Sequence, residues 1–406
     1  MLQTPDLESL NALVARVMHV DDVTLGTEKL GYLVRYRGQL SSEDTVAAYD
    51  RLAADLRPLN ITPLFRKEKE QHVILLTYGI VRPQPSKTWV NILLFALTVI
   101  SVFLAGLLFT LNTTYEGPAN PGFQMLLPYV GVSLGGALAF TVSLLAILLA
   151  HEFGHYLAGR HHGVHVTLPY FIPFPLSAFG TMGAFIRLKE HPKNKRILLD
   201  IGLAGPLAGL VVAIPVLIIG LMLSEVSHIP AQLPPGIMLT IEGNSILYLL
   251  SKYLVFGQLL PAPGSYAGLS AIQYWVMYFF TGRPFPLGGV DVMLSPVAWA
   301  GWAGLLVTAV NLIPAGQLDG GHLTFGLLGK RVDMLLPFIL VVLVLLGLAW
   351  PGWWLWAFLI FLLGRLHAEP LDQITPLDPW RRVMAVIGIL VFILVFTPVP
   401  LLEIGL

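Results

Sequence analysis

Beyond Lys87 the chain repeatedly runs for twenty or more residues without a single Asp, Glu, Lys or Arg, whereas residues 1–86 carry an ordinary share of charge. An uncharged apolar run of about 20 residues is long enough, as a helix, to cross roughly 30 Å of hydrocarbon. A helix also satisfies its own backbone hydrogen bonds, which a membrane interior demands. This segregation of charge predicts a mainly α, polytopic membrane protein with a small N-terminal α+β soluble domain. Composition agrees. Charged residues make up 12% of the 406-residue chain, against about 25% in soluble domains.

Three parts are expected: an α+β domain over 1–86, a membrane core over 87–330 that includes an external segment at 224–294, and C-terminal helices over 331–406. Within the first, helices are read at 6–18 and 41–56 and strands at 32–37, 61–66 and 72–78, with Pro83, Gln84 and Pro85 as a linker. Candidate spans are 89–111, 126–150, 197–223, 296–313 and 383–399, plus a hairpin of 334–350 and 353–363 around Pro351 and Gly352, six or seven crossings in all. The external segment holds two apolar stretches, 246–256 and 272–280, read as interfacial helices.

Orientation follows from loop charge. The 112–125 loop has no Lys or Arg, whereas the 159–196 loop carries Arg160, Arg187, Lys189, Lys193, Lys195 and Arg196. The positive-inside rule then puts the basic loop and the N-terminal domain on the cytoplasmic, or stromal-like, side of a multi-pass membrane protein. Net charge is zero, so no basic field favours nucleic acid. Cysteine is absent, so any metal must be held by His, Asp or Glu.

The second uncharged run leads directly into His151-Glu152-Phe153-Gly154-His155. On a helix, positions i and i+4 share a face, so both imidazoles can meet one Zn²⁺ at about 2.0–2.1 Å. Glu152 sits beside them, able to take a proton from an attacking water. Ionisable groups in a membrane are expensive unless paired or ligated, which favours one bound zinc over chance. An open zinc site needs a third protein ligand. Asp319, in the polar stretch from Asn311 through Pro314 and Gly316 to His322, is the candidate, with His322 as the lesser alternative. Arg160 lies five residues past His155, roughly 7–8 Å along a helix, so a zinc here would sit shallowly on the basic side.

These segments resemble the site-2 protease family of intramembrane metalloproteases. The resemblance rests on His151 to His155, on Ala204-Gly205-Pro206-Leu207-Ala208-Gly209, and on Asn311 to Gly320, in matching order over roughly 90–330. It implies zinc bound by His151, His155 and Asp319, Glu152 as general base, and Asn311 holding substrate or oxyanion. The front domain and external segment look most like the cyanobacterial and chloroplast branch. The family's membrane-embedded β-hairpin falls at 179–188. There Gly180 and Gly183 read as strand glycines that allow close backbone approach, an edge on which an unwound substrate can add as a strand. The implied partners are single-span membrane protein substrates and membrane lipid, with homo-oligomerisation left open.

Other polar groups have plainer readings. His161, His162 and His165 are expected to be solvated, Asp200 to pair with Lys195 or Arg196, and Gly205, Pro206 and Gly209 to serve close helix packing. Trp350, Trp353, Trp354 and Trp356 read as an interfacial aromatic belt. Two rival functions remain at this stage, a membrane metal transporter and a prenyl-protein-type membrane zinc endopeptidase. The second would use a glutamate as third ligand, and the first is associated with internal repeats that the sequence lacks.

Overall fold

The computed structural model describes residues 6–81, 84–115, 123–233, 239–364 and 369–405. The N-terminal domain comprises α1 (Leu7–Ala15), β1 (Met18–Leu25), β2 (Val34–Leu40), α2 (Thr45–Leu56), β3 (Ile61–Glu68) and β4 (Gln71–Tyr78). Its antiparallel sheet runs β1-β2-β4-β3. Val14, Tyr36, Leu52, Leu56, Phe65 and Ile74 are wholly buried between sheet and helices, each large aliphatic side chain contributing about 1.5–3 kcal/mol. Strand β1 is an addition to the sequence reading, in which the first helix ran on to residue 18. Its acids Asp21 and Asp22 and a bulge between Val20 and Asp22 break the period-2 pattern that marks a strand. The second helix is capped by Asp44, whose carboxylate accepts the Ala47 amide, not by the serines before it.

Pro83 of the expected linker and residues 116–122 of the first inter-helix loop lie outside the described residues. Helices α3 (Thr88–Thr114), α4 (Phe123–His161) and α5 (Lys195–Met222) follow, with β5 (Tyr170–Pro173) and β6 (Thr181–Phe185) forming a hairpin between α4 and α5. On the far side from the N-terminal domain come β7 (Glu225–His228), β8 (Leu239–Glu242), α6 (Ile246–Phe256), α7 (Ala271–Thr281) and β9 (Val290–Met293). Residues 234–238 of this segment are outside the described residues. The chain returns through α8 (Pro296–Asn311), α9 (Asp319–Leu328), α10 (Leu336–Leu346), α11 (Gly352–Leu363), α12 (Pro379–Val395) and β10 (Leu401–Ile404). Strand β7 pairs with β9, and β10 pairs with β8.

Among the described residues, three helices (α3, α4 and α5) are long and apolar enough to cross a membrane. Helices α8, α10, α11 and α12 have 16, 11, 12 and 17 residues, or about 24, 16, 18 and 26 Å at 1.5 Å per residue. Helix length alone therefore supports three of the six or seven crossings that the sequence suggests.

The main core lies where α4, α5 and α8 meet, around Leu144, Leu148, Ala213, Leu217, Trp302 and Leu305. Small residues set the spacing. A Cβ at Gly301 would run into the backbone of Leu217, and one at Gly220 into Ala298. Close backbone approach of this kind is how helices associate where apolar burial gives no net drive.

The N-terminal domain is clasped to the rest by residues 370–375. Phe65 donates its amide to the Leu371 carbonyl and accepts from Gln373, extending the free edge of β3. The same segment donates from Leu371 and Asp372 to the carbonyls of Pro192 and Lys193. Lys193 also pairs with Asp50 at 2.5 Å. The domain, the basic loop before α5 and the segment before α12 thus lie on one side of the helical bundle.

Candidate metal centre

Helix α4 carries His151, Glu152 and His155 near its C-terminal end, all at or below 5% exposure. The two imidazole rings stand 5.0 Å apart, centre to centre. Asp319 is the first residue of α9. It reaches the pair because the chain breaks after Asn311, the last residue of α8, and turns through Gly316 in the left-handed region. Asp319 Oδ2 lies 3.3 Å from His151 Nε2 and 3.2 Å from His155 Nε2. One ligand atom from each of these three residues falls within 4.8 Å of the others.

These separations fit zinc. Ligand atoms at about 2.0–2.1 Å from a tetrahedral centre stand about 3.3–3.4 Å apart along each edge, close to the two observed carboxylate–imidazole distances. The orientation of His155 is also fixed. Its Nδ1 is 2.7 Å from the Ile201 carbonyl and must therefore carry the proton, which leaves Nε2 as the lone-pair donor. Glu152 Oε2 is buried with no hydrogen-bond partner, a costly state for a carboxylate oxygen unless an ion or reactant completes it. Asn311 Nδ2 is 3.4 Å from His151 Nε2.

Helix α5 supplies the floor. A Cβ on Gly205 would come within 2.1 Å of His155 Nε2, a severe clash with the ring, and one on Gly209 would stand 3.2 Å from His151. The Ala-Gly-Pro-Leu-Ala-Gly stretch thus makes room for the two imidazoles as well as for helix packing. Gly154, on α4 itself, meets the Ala204 backbone.

Two cavities meet at this point. One, of about 250 Å³, is largely apolar and runs from His151 and Glu152 between α4, α8 and β6 to Trp350, Trp353 and Trp356. The other, of about 170 Å³, is bounded by His155, Asp319, Gln317 and His322. His151, Glu152, Asn311 and Ala184 border both. His322 therefore sits on the wall of the second cavity, and the metal-binding group is made by Asp319. Strand β6 pairs with β5 along one edge, and Thr181, Met182, Gly183 and Ala184 line the first cavity. Gly183, at φ +95°, has open space where a side chain would be. Gly180 lies elsewhere. It packs against the α3 backbone at Ser101, whose hydroxyl donates to its carbonyl at 2.6 Å.

Several polar residues differ from the sequence reading. Asp200 pairs with Arg381 of α12 at 2.6 Å and with His162 at 2.9 Å, not with Lys195 or Arg196. Arginine's planar fork can grip both carboxylate oxygens, and this one arrives from a helix 181 residues away. His162 and His165 are engaged by carboxylates, the latter by Glu190 at 2.8 Å, and are not simply solvated. Of the four tryptophans read as a belt, Trp350, Trp353 and Trp356 line the apolar cavity, and Trp354 is the one that is 49% exposed. The sequence reading also passed over Lys252, which is fully buried near Glu242 and Asp291 on the far side. A lone lysine in the apolar 246–256 stretch was the available signal.

The sequence profile of peptidase family M50 matches residues 139–347, a span that holds His151, Glu152, His155, Asn311 and Asp319. The chain is similar to the "Probable zinc metalloprotease EGY1, chloroplastic" of Oryza sativa subsp. japonica, at 31% identity over 353 residues, 80% of this chain and 53% of that protein. The protein of the same name from Arabidopsis thaliana is 30% identical over 343 residues, again 80% of this chain and 56% of its own length. Similarity extends to the Arabidopsis "Probable zinc metallopeptidase EGY3, chloroplastic", 25% identical over 265 residues, 62% of this chain and 41% of that one. The chain thus spans about half the length of the curated relatives it matches. No solved structure matches it. The profile covers both α4, which brings the two histidines, and α9, which brings the aspartate, and on that match over half its length the chain belongs to peptidase family M50.

Proposed function

We propose that this chain is an intramembrane zinc metalloprotease that hydrolyses peptide bonds in or near the transmembrane segments of single-span membrane proteins. The observation that carries this reading is the junction of a largely apolar cavity with a smaller, more polar one at His151, Glu152 and Asn311. Hydrolysis inside a bilayer needs both, an apolar chamber for the substrate and a polar route for water.

His151, His155 and Asp319 would hold the ion, which when bound supplies Lewis acidity and lowers the pKa of water. Glu152, unpartnered at Oε2, takes the proton from the attacking water and returns it to the leaving amine, a role worth about 10²–10⁴-fold. Asn311 donates its amide to the substrate carbonyl or the developing oxyanion. The substrate, unwound from its helix, adds to the open edge of β6, where Gly183 lets its backbone approach. Water reaches the site past Gln317 and His322.

On this reading α8, the α10–α11 hairpin and α12 complete the crossings begun by α3, α4 and α5. The N-terminal domain lies on the cytoplasmic or stromal-like side with the basic loop. The parts 1–86, 87–330 and 331–406 are then a cytoplasmic-side α+β domain, the metalloprotease core and the C-terminal transmembrane helices. A metal transporter is the less favoured reading, because it leaves the open β6 edge and the large apolar chamber without a use. Reconstitution with a single-span substrate separates the two. The wild-type chain should cleave it, and Glu152→Gln should not, while retaining its zinc. Zinc flux across the vesicle in the absence of any cleavage would overturn the protease reading.

A further inference from the structure

The largely apolar cavity has a further wall besides α4, α8 and β6. It is formed by Trp350, Trp353 and Trp356, where α10 turns into α11, together with Pro400 and Leu401 from the last segment of the chain. Trp353 is 1% exposed and donates its indole N–H to the Pro398 carbonyl at 2.6 Å. Its ring stacks on Phe396 at 5.4 Å and meets Trp350 edge-on at 5.6 Å. Leu401 is held in turn by strand pairing with Glu242 in β8, and the neighbouring Gly243 carbonyl accepts from Trp302 of α8. The wall is therefore braced from behind on three elements, and indole rings have little freedom to yield.

We propose that Trp350 and Trp356, held by Trp353, form a size-selecting pocket for the substrate side chains beside the scissile bond. This inference rests on the protease reading and names its specificity. A cavity of about 150 Å³ holds one benzene ring. On the same scale, about 25 Å³ per ring carbon, the present 250 Å³ admits at most a two-ring side chain beside Glu152, with no room for a four-ring pyrenyl group. The preferred substrate is an apolar segment with small or medium side chains at the cut, and a pyrenyl-sized side chain there is excluded.

The test uses the full chain in vesicles with single-span Leu/Ala peptides in which one pyrenylalanine is walked through the apolar segment. Cut positions are read by mass spectrometry. The wild-type chain should not cut beside the pyrenyl group. Trp356→Ala should raise the ratio of pyrenyl to alanine cleavage tenfold or more, in line with the roughly 10–200-fold discrimination that one methylene gives in an apolar pocket. Trp354→Ala, on the exposed side of α11, should leave that ratio unchanged. Equal losses for both peptides in Trp356→Ala would overturn the pocket. A second measurement does not need cleavage. In a Glu152→Gln background, benzoylphenylalanine in place of Trp356 should photo-crosslink to the Leu/Ala peptide, and in place of Trp354 it should not. Crosslinking without wild-type cleavage would sink the protease reading and keep the pocket. Cleavage with neither crosslink nor altered ratio would do the reverse.

Discussion

His155 Nε2 stands 3.2 Å from Asp319 Oδ2, and this contact between α4 and α9 closes the metal-binding group. His155 is buried and Asp319 largely so. The ion that completes such a group would join α4 to α9 directly. Asp319→Ala and His151→Ala should therefore lose most of their zinc on purification, measured by atomic emission against the wild-type stoichiometry. Undiminished zinc in both variants would refute the site.

Gly205 has no space for a side chain beneath the His155 ring. Gly205→Ala should displace that ring and lower cleavage by about 10²-fold, the scale of a 1 Å misplacement at a catalytic group. Gly209→Ala, with its nearest neighbour at 3.2 Å, should lose only a few-fold. Zinc content should fall in the first variant and hold in the second. Equal activity in the two would argue against the floor.

Gly183 adopts φ +95°, a region that costs a residue with a side chain about 1–3 kcal/mol. Its amide already donates to Thr181 Oγ1 at 3.0 Å. Gly183→Val should therefore narrow the edge of β6 and lower kcat/KM for a membrane peptide while leaving zinc bound. Gly183→Pro with normal cleavage would show that the edge does not receive substrate.

On the far side, burial pushes the Glu242 carboxyl up from its ordinary 4.5 to about 7, with Asp291 adding to the shift and Lys252 and the Tyr248 hydroxyl opposing it. The folded chain thus holds this proton more tightly than the unfolded chain does. Its contribution to stability is complete below about pH 4.5 and is lost as pH rises through about 7. Thermal melting should show this decline, and Glu242→Gln should flatten it. Lys252 is fully buried, and removing one partner of a buried charged group costs about 3–5 kcal/mol. Lys252→Met should accordingly lower the melting temperature sharply above neutral pH and much less below it. A uniform drop would mean that packing, not charge, is lost.

Much of this was legible in the chain itself. The uncharged runs marked α3, α4 and α5, because a bilayer-length helix must be apolar along its whole length. The spacing of His151 and His155 marked two ligands, because helical periodicity puts i and i+4 on one face. The apolar stretches of the far segment likewise became α6 and α7. Strand β1 was hidden, since an edge strand with acids and a bulge carries no clean alternation.

What the sequence determined alone was local: which segments are helices, and which side chains could ligate a metal or move a proton. Tertiary structure decided the partners. It chose Arg381 over Lys195 and Arg196 for Asp200, and it turned Trp350, Trp353 and Trp356 into a cavity wall. It also set Gly205 beneath His155 and buried Lys252 among acids. Each of these relations joins segments far apart in the chain, and side-chain chemistry offers several equivalent partners until packing brings one of them within reach.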